Sequence, residues 1–315
     1  MSSKPTILIN RDLITTYNAV HIEEVSGKYF NIEFIDTNKH YDKKSTVVVS
    51  YYEDFKDGED KVEQHIKSKG IRHIIDHAWD SHDSSLDNAS DFTLRPIDYI
   101  RFNEAFSFEH WRQGYDKLTL TTDPKYDFLL LMKLCKPHRD KLYNALQSVL
   151  QDNIYSYIEK GISLQNANDI KQDTYWERGI NPNWYRDTRF SVVSESMIDS
   201  DPTDTSINIS EKTYKPLAFQ HPFVVWGQSG TLQLLHRLGF ETFDNIIDES
   251  YDLETDSELR FKKVIDNIFS LTNLTYDKIT QDKLLYNREH FYNQDIIEKL
   301  YVEQVVNPTL EFIES

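Results

Sequence analysis

The stretch "NISEKTYKPLAFQHPFVVWGQSGT" (residues 208–231) decides how the rest of the chain is read. Ser210 stands one residue ahead of helix-forming Glu211 and Lys212, where a hydroxyl accepts an unpaired N–H of the first turn. His221 and Pro222 then break the helix, and "PFVVWG" follows as a run apolar on both faces. Such a run suits a parallel sheet covered on both sides. Gly227 and Gly230 permit a tight turn into the next helical pattern, "GTLQLLHRLG". Helix, buried strand and helix in this order are the repeating unit of an α/β domain.

Working outward, the same alternation continues. "YDFLLLMKL" is a fully apolar strand, and "PHRDKLYNALQSVLQ" is a helix opened by Pro137 with Leu142, Ala145, Leu146, Val149 and Leu150 on one face. "NIYSYIE" and "TRFSVVSES" read as strands, and a last strand is expected near "TFDNII". From 257 onward the pattern is helical, clearest in "SELRFKKVIDNIFSLT" and "DIIEKLYVEQVVNPTLEFIES". Upstream, strands are expected at "TILIN" (6–10), "YFNIEFID" (29–36), "STVVVSYY" (45–52), "RHIIDHA" (72–78) and "DYIRFN" (98–103). "KVEQHIKSKG", ending on Gly70, and "FEHWRQGYDKL" read as helices. Some of these strands leave too little chain for a crossover helix, so this half is not expected to be a clean doubly wound sheet. The boundary between the halves falls in "LTLTTDPKYD" (118–127), at Asp123-Pro124.

Composition narrows the function classes. The 315 residues carry a formal net charge of -17, a field that disfavours nucleic acid and anionic membranes as partners. With 39% hydrophobic residues but only 9 Gly and 9 Pro, the chain fits a packed core without long linkers or repeats. A single cysteine, Cys135, rules out a disulfide framework or a thiol-rich metal site. No apolar run reaches the length of a membrane span, and the start lacks a signal-peptide core. A soluble, cytoplasmic protein is the expectation.

Open α/β sheets bind ligands at the carboxyl ends of their strands, so the residues there deserve the closest reading. After "YDFLLLMKL" come Lys133, Lys136, His138 and Arg139; after "FSVV" come Ser194, Glu195 and Ser196; Ser210, Glu211 and Lys212 open a helix. Helix starts attract anions, and Arg139 with Lys212 there suits a diphosphate. A carboxylate such as Glu211 can accept from the two hydroxyls of a ribose. The plainer reading makes Ser210 a cap, Glu211 a first-turn acid and Lys212 a solvated lysine.

The segment Phe190–Gly227 resembles the donor-binding region of GT-B glycosyltransferases of the family-10 fucosyltransferase type, and the likeness spans about residues 126–250. That family shows a strand ending Phe-Glu-Asn, a variable loop, Thr-Glu-Lys, a helix, and a strand closing on Trp-Gly. The counterparts here are "VVSES", "MIDSDPTDTSIN", "SEKTYKPLAFQ" and "HPFVVWG". Ser196 stands where the family has Asn, and Asn208 where it has Tyr. The chain also resembles GT-B-like proteins of phage and marine bacterial genomes with a "SEKT-x-KP-x-AF-x-HPF" core.

The resemblance implies a GT-B-like fold, two Rossmann-like α/β domains facing a cleft with C-terminal helices. Residues 1–122 would form the acceptor-side domain, 123–272 the nucleotide-sugar domain, and 273–315 helices able to cross back to the first domain. Glu211 would hold the ribose, Lys212 the phosphates and Arg139 a second phosphate clamp, with Glu195, Ser196 and Ser210 completing the donor site. Lys136, Arg186 and Arg189 are further cationic candidates. The implied function is transfer of a sugar from a nucleoside diphosphate donor to a glycan or other small hydroxyl acceptor. No resident cofactor or metal is expected, because protein cations meet the leaving diphosphate.

An acceptor base is expected from the first domain, in "RHIIDHAWDSHD": Asp76 or His77, then Asp80, with Glu104 a fourth choice. His73 and His77 are too far apart on a strand, over about 12 Å, to share a zinc ion. "DSD" (199–201) reads as a solvated turn, though on a metal it would mean GT-A chemistry. "FDNIIDESYD" (243–252) is an acidic string with no role beyond capping. The competing functions are a glycosyltransferase acting on bases of phage DNA, which would need a basic stripe, and a silent nucleotide-sugar or glycan-binding module.

Overall fold

The computed structural model describes residues 4–9, 26–34, 39–42, 44–51, 71–76, 91–94, 117, 124–165, 181–199, 207 and 209–315. The chain forms two compact units: Met1–Phe108 with Asn293–Ser315, and Glu109–Tyr292.

The first unit carries a five-stranded sheet of β1 (Thr6–Ile9), β2 (Asn31–Phe34), β3 (Thr46–Tyr51), β4 (Arg72–Asp76) and β5 (Asp91–Leu94), in the order β2-β1-β3-β4-β5. Every pairing in it is parallel, so this half is wound more regularly than its sequence suggests. The strands stop short of the apolar runs that announce them, which lengthens the links; residues 35–45 separate β2 from β3. β5 is a strand the sequence reading did not name; the strand expected at 98–103 lies outside the described residues, as do the helix expected at 61–70 and all but Lys117 of the one expected at 108–118. Helices α7 (Gln294–Tyr301) and α8 (Asn307–Glu314) complete this unit, joined by a π turn at Val302–Val306 ahead of Pro308, which has no N–H to give. Tyr301 and Val306 close a core with Ile7 and Phe30, and Glu298 holds Lys28 at 2.6 Å and the Tyr29 hydroxyl at 2.8 Å.

The second unit is built on β6 (Tyr126–Met132), β7 (Ile154–Tyr157), β8 (Ile162–Gln165), β9 (Thr188–Ser194) and β10 (Phe223–Trp226), in the order β10-β9-β6-β7-β8. All pairs are parallel except β7–β8, where Gly161 turns the chain back at φ 73°. Read from its first strand, this is the mononucleotide-binding order with an antiparallel edge. Helices α1 (Pro137–Leu150), α2 (Pro182–Asp187), α3 (Glu211–Ala218), α4 (Thr231–Arg237), α5 (Ser257–Ser270) and α6 (Lys278–Phe291) connect and cover it. The sequence reading ended this domain at 272; α6 belongs to it in the structure. Residues 242–247 form turns rather than a strand, because Asp244 and Asn245 favour turn geometry and the N–H groups of Ile246 and Ile247 return to Phe243 O.

Candidate functional site

β6 leads through α1 to β7 on one side, whereas the chain re-enters on the other side of β6 at β9. The β6–β9 pair is therefore the switch point of the sheet, and open α/β sheets hold their ligands beyond the carboxyl ends of such a pair. Two helices begin there. α1 starts at Pro137 with no side-chain cap, and α3 starts at Glu211 under Ser210.

Glu195, the first residue past β9, is fully buried and organises the start of α3. Its carboxylate accepts from Ser210 N at 3.1 Å, Ser210 Oγ at 2.5 Å and Thr213 Oγ1 at 2.5 Å. Because Ser210 gives its proton to Glu195, its oxygen is free to accept from Lys212 Nζ at 3.0 Å. The same ammonium reaches Glu211 Oε1 at 2.9 Å and Ser196 Oγ at 3.5 Å. Glu195 is thus a scaffold residue for the cap. Glu211 is only 4% exposed and carries its negative charge against a neighbouring lysine. Burial pushes its carboxyl up, but Lys212 and Lys215 outweigh burial and hold it below the ordinary range.

The cations converge on the same loop. Lys136 Nζ donates to Ser196 O at 3.0 Å, so Lys136 and Lys212 share one serine. Burial lowers the Lys136 pKa, and the charges of Arg139 and Lys212 push it the same way. Arg139 is 3% exposed and lies on the buried stripe of α1 with Leu142, Leu146 and Leu150. It donates from one terminal nitrogen to Leu134 O at 3.3 Å, while its Nε is buried without a partner. Nearby Glu195 and Glu211 favour its charge against the cost of burial. His138 donates from Nε2 to Glu195 O at 3.0 Å, and burial, aided by Arg139 and Lys136, brings its pKa to about 4. The imidazole is neutral near pH 7, so it adds a polar atom without adding charge. Lys136, repelled by Arg139 and Lys212, and Arg139, with an unfilled donor, form an arrangement that a diphosphate would relieve.

Arg186 and Arg189, expected as phosphate contacts, sit at the other end of β9. Arg186 pairs with Asp187 at 3.1 Å, while Arg189 binds Asp127 at 3.2 Å and Leu274 O at 2.8 Å. Neither lies at the helix starts where Lys136, Arg139 and Lys212 gather. Asp76 closes β4; His77, Asp80 and Glu104 lie outside the described residues. Asp199 makes a 3.5 Å contact with Arg260, and among the described residues no three His, Cys, Asp or Glu side chains gather as a metal site would require.

Two structural residues at this end escaped the sequence reading. Arg260 of α5, 3% exposed, donates to Gly227 O at 3.1 Å, Glu254 O at 2.6 Å and Ile198 O, tying the ends of β9 and β10 together. Asp252 accepts from the N–H groups of Leu232 at 2.9 Å and Gln233 at 3.1 Å, capping α4 and giving the acidic string its purpose. Gly230, at φ 87°, makes that turn possible, and a Cβ there would press on Ile207 at 2.9 Å. A charged residue at a stripe position is the sequence signal for Arg260 as for Arg139: it falls in register with Val264, Asn267 and Ile268.

No family model and no curated protein matches the chain. Among solved structures, it is similar to a crystal structure of an alpha1,3-fucosyltransferase at 11% identity and a TM-score of 0.45, over 85% of this chain and 82% of that one. It is also similar to a crystal structure of alpha1,3-fucosyltransferase with GDP, at 11% identity and a TM-score of 0.41, over 94% of both chains. Among the described residues no helix is long and apolar enough to cross a membrane.

Proposed function

We propose that the chain is a glycosyltransferase of the GT-B type whose second unit holds a nucleoside diphosphate sugar. The observation that supports this is the convergence of Lys136, Arg139 and Lys212 at the switch point, beside the buried carboxylate of Glu211. The cations take the diphosphate, and Glu211 accepts from the ribose hydroxyls. As the acceptor oxygen bonds to the sugar's anomeric carbon, the bond from that carbon to the diphosphate breaks. The electron pair stays on the diphosphate, where Lys136, Arg139 and Lys212 meet the new charge without a metal. The acceptor, a glycan or small hydroxyl compound, gives its proton to a base. Asp76, His77 and Asp80 are the candidates for that base.

The test is calorimetric titration of GDP, UDP, ADP, CMP and dTDP, with chelator present, into the wild type and Glu211→Ala. One nucleotide should bind, and the variant should lose about 1.5–3 kcal/mol, the worth of a hydrogen bond to a charged group. Silence from every nucleotide by a folded protein would reduce the Ser-Glu-Lys motif to a helix cap and remove the reading. Turnover of the matching nucleotide sugar should then disappear in one of Asp76→Asn, His77→Ala or Asp80→Asn while binding stays. Full turnover in all three would place the base elsewhere.

A further inference from the structure

Lys212 is proposed above as a phosphate ligand, yet its ammonium already has three partners. It lies 2.9 Å from Glu211 Oε1, 3.0 Å from Ser210 Oγ and 3.5 Å from Ser196 Oγ. The group it leans on most is the one proposed to receive the ribose. A carboxylate has acceptor sites for about four hydrogen bonds. Glu211 is 4% exposed, with Lys212 holding one of its oxygens. A diol approaching Glu211 therefore competes with an ammonium for a buried charge, which is an unequal contest. A diphosphate changes the balance, because it offers Lys212 a second anion.

Resting on the donor-site reading, we propose that Lys212 acts as a specificity-determining plug: it blocks the ribose position of Glu211 until a phosphate draws it away. The site then rejects a bare nucleoside and admits the same nucleoside once it carries its phosphates. Phosphate and ribose bind as a coupled pair, each making room for the other, and the coupling is reciprocal by linkage. The other two cations are not engaged in this way. Lys136 bonds a backbone carbonyl, Ser196 O, and Arg139 keeps an unpartnered Nε, so both can take phosphate without uncovering a carboxylate.

Substituting Lys212→Met keeps the length of the side chain and removes the ammonium. The nucleoside whose diphosphate binds best is titrated, alongside that diphosphate, into the wild type and into the variant. The plug predicts opposite signs: the diphosphate weakens at least tenfold, whereas the uncharged nucleoside tightens at least threefold. If Lys212 is a phosphate ligand and nothing more, the nucleoside is unchanged or weaker in the variant, and the proposal falls while the donor site stands. If the wild type binds no nucleoside diphosphate at all, the donor reading fails and takes the plug with it. A melting curve establishes that the variant is folded. Should it not fold, the unmodified protein supplies the same decision: saturating inorganic phosphate should tighten the nucleoside at least threefold, and an unchanged or weakened nucleoside would overturn the proposal.

Discussion

Arg139 and Arg260 are equally buried, each 3% exposed, and both act near the carboxyl end of the second sheet. They spend their guanidinium groups differently. Arg260 donates to the carbonyls of Gly227, Glu254 and Ile198 and touches Asp199, so its fork is filled by the protein. Arg139 donates to Leu134 O and leaves a buried Nε with nothing. Burying a charge is costly, and the cost is normally offset by partners. Where it is offset, the residue is architecture. Where it is not, as at Arg139, the proposed donor site has the diphosphate supply the partner.

The comparison can be broken at either arginine. Arg260→Ala should strip several buried carbonyls of their donor and cost about 3–5 kcal/mol in urea unfolding; a loss below about 1 kcal/mol would mean the fork is not structural. Arg139→Met should do the reverse. Its stability should change by less than about 1 kcal/mol, while nucleoside diphosphate binding falls about 10–100-fold. Equal loss of stability in both variants would erase the distinction. Arg189→Met sharpens the comparison from the opposite end of β9: about 1 kcal/mol of stability for its partly exposed pair with Asp127, and no change in binding.

The smallest effect is read from pH. His138 at the carboxyl end and His221 near the amino end are both pushed from 6.5 to about 4, chiefly by burial. His221 is held neutral between Thr188 O and the Ser191 hydroxyl, at 2.9 and 2.8 Å. Below pH 6.5 the unfolded chain takes up protons that these native histidines refuse, so the folded state loses stability as pH falls and the loss levels off only near 4. Unfolding midpoints measured across that window should show it. Bound diphosphate should raise the His138 titration seen by NMR and leave that of His221 in place, since an anion favours only the imidazolium beside it.

Legibility followed the physics of burial. β6, β9 and β10 are largely buried on both faces, with continuous apolar runs in β6 and β10, and are bracketed by helix starts, so pattern alone located them. The Ser210 cap was equally plain, because its oxygen meets the Lys212 N–H as the spacing requires. β8 was not legible: it is a four-residue edge strand whose existence depends on the Gly161 turn and on pairing with β7. α6 lies in the stretch that reads as helical from 257 onward but is not among its clearest helices, because its exposed positions include Ile279, Leu285 and Tyr286, which blurs the apolar stripe. The phosphate candidates divided by direction. Lys136 and Arg139 follow β6, whereas Arg189 enters β9, and side chains entering and leaving a parallel strand lie at opposite ends of the sheet. That Arg139 is short of partners and Arg260 is not could not be seen in sequence, since both occupy the same kind of stripe position.

The return of the chain to its first unit sets an order of assembly. The second unit, Glu109–Tyr292, is continuous, but the first needs Asn293–Ser315 to close Ile7 and Phe30 behind Tyr301 and Val306. A ribosome making about 5–20 residues per second takes roughly 10–40 s to travel from one segment to the other. The unit begun first is therefore finished last, and through that interval its apolar face waits uncovered on the nascent chain.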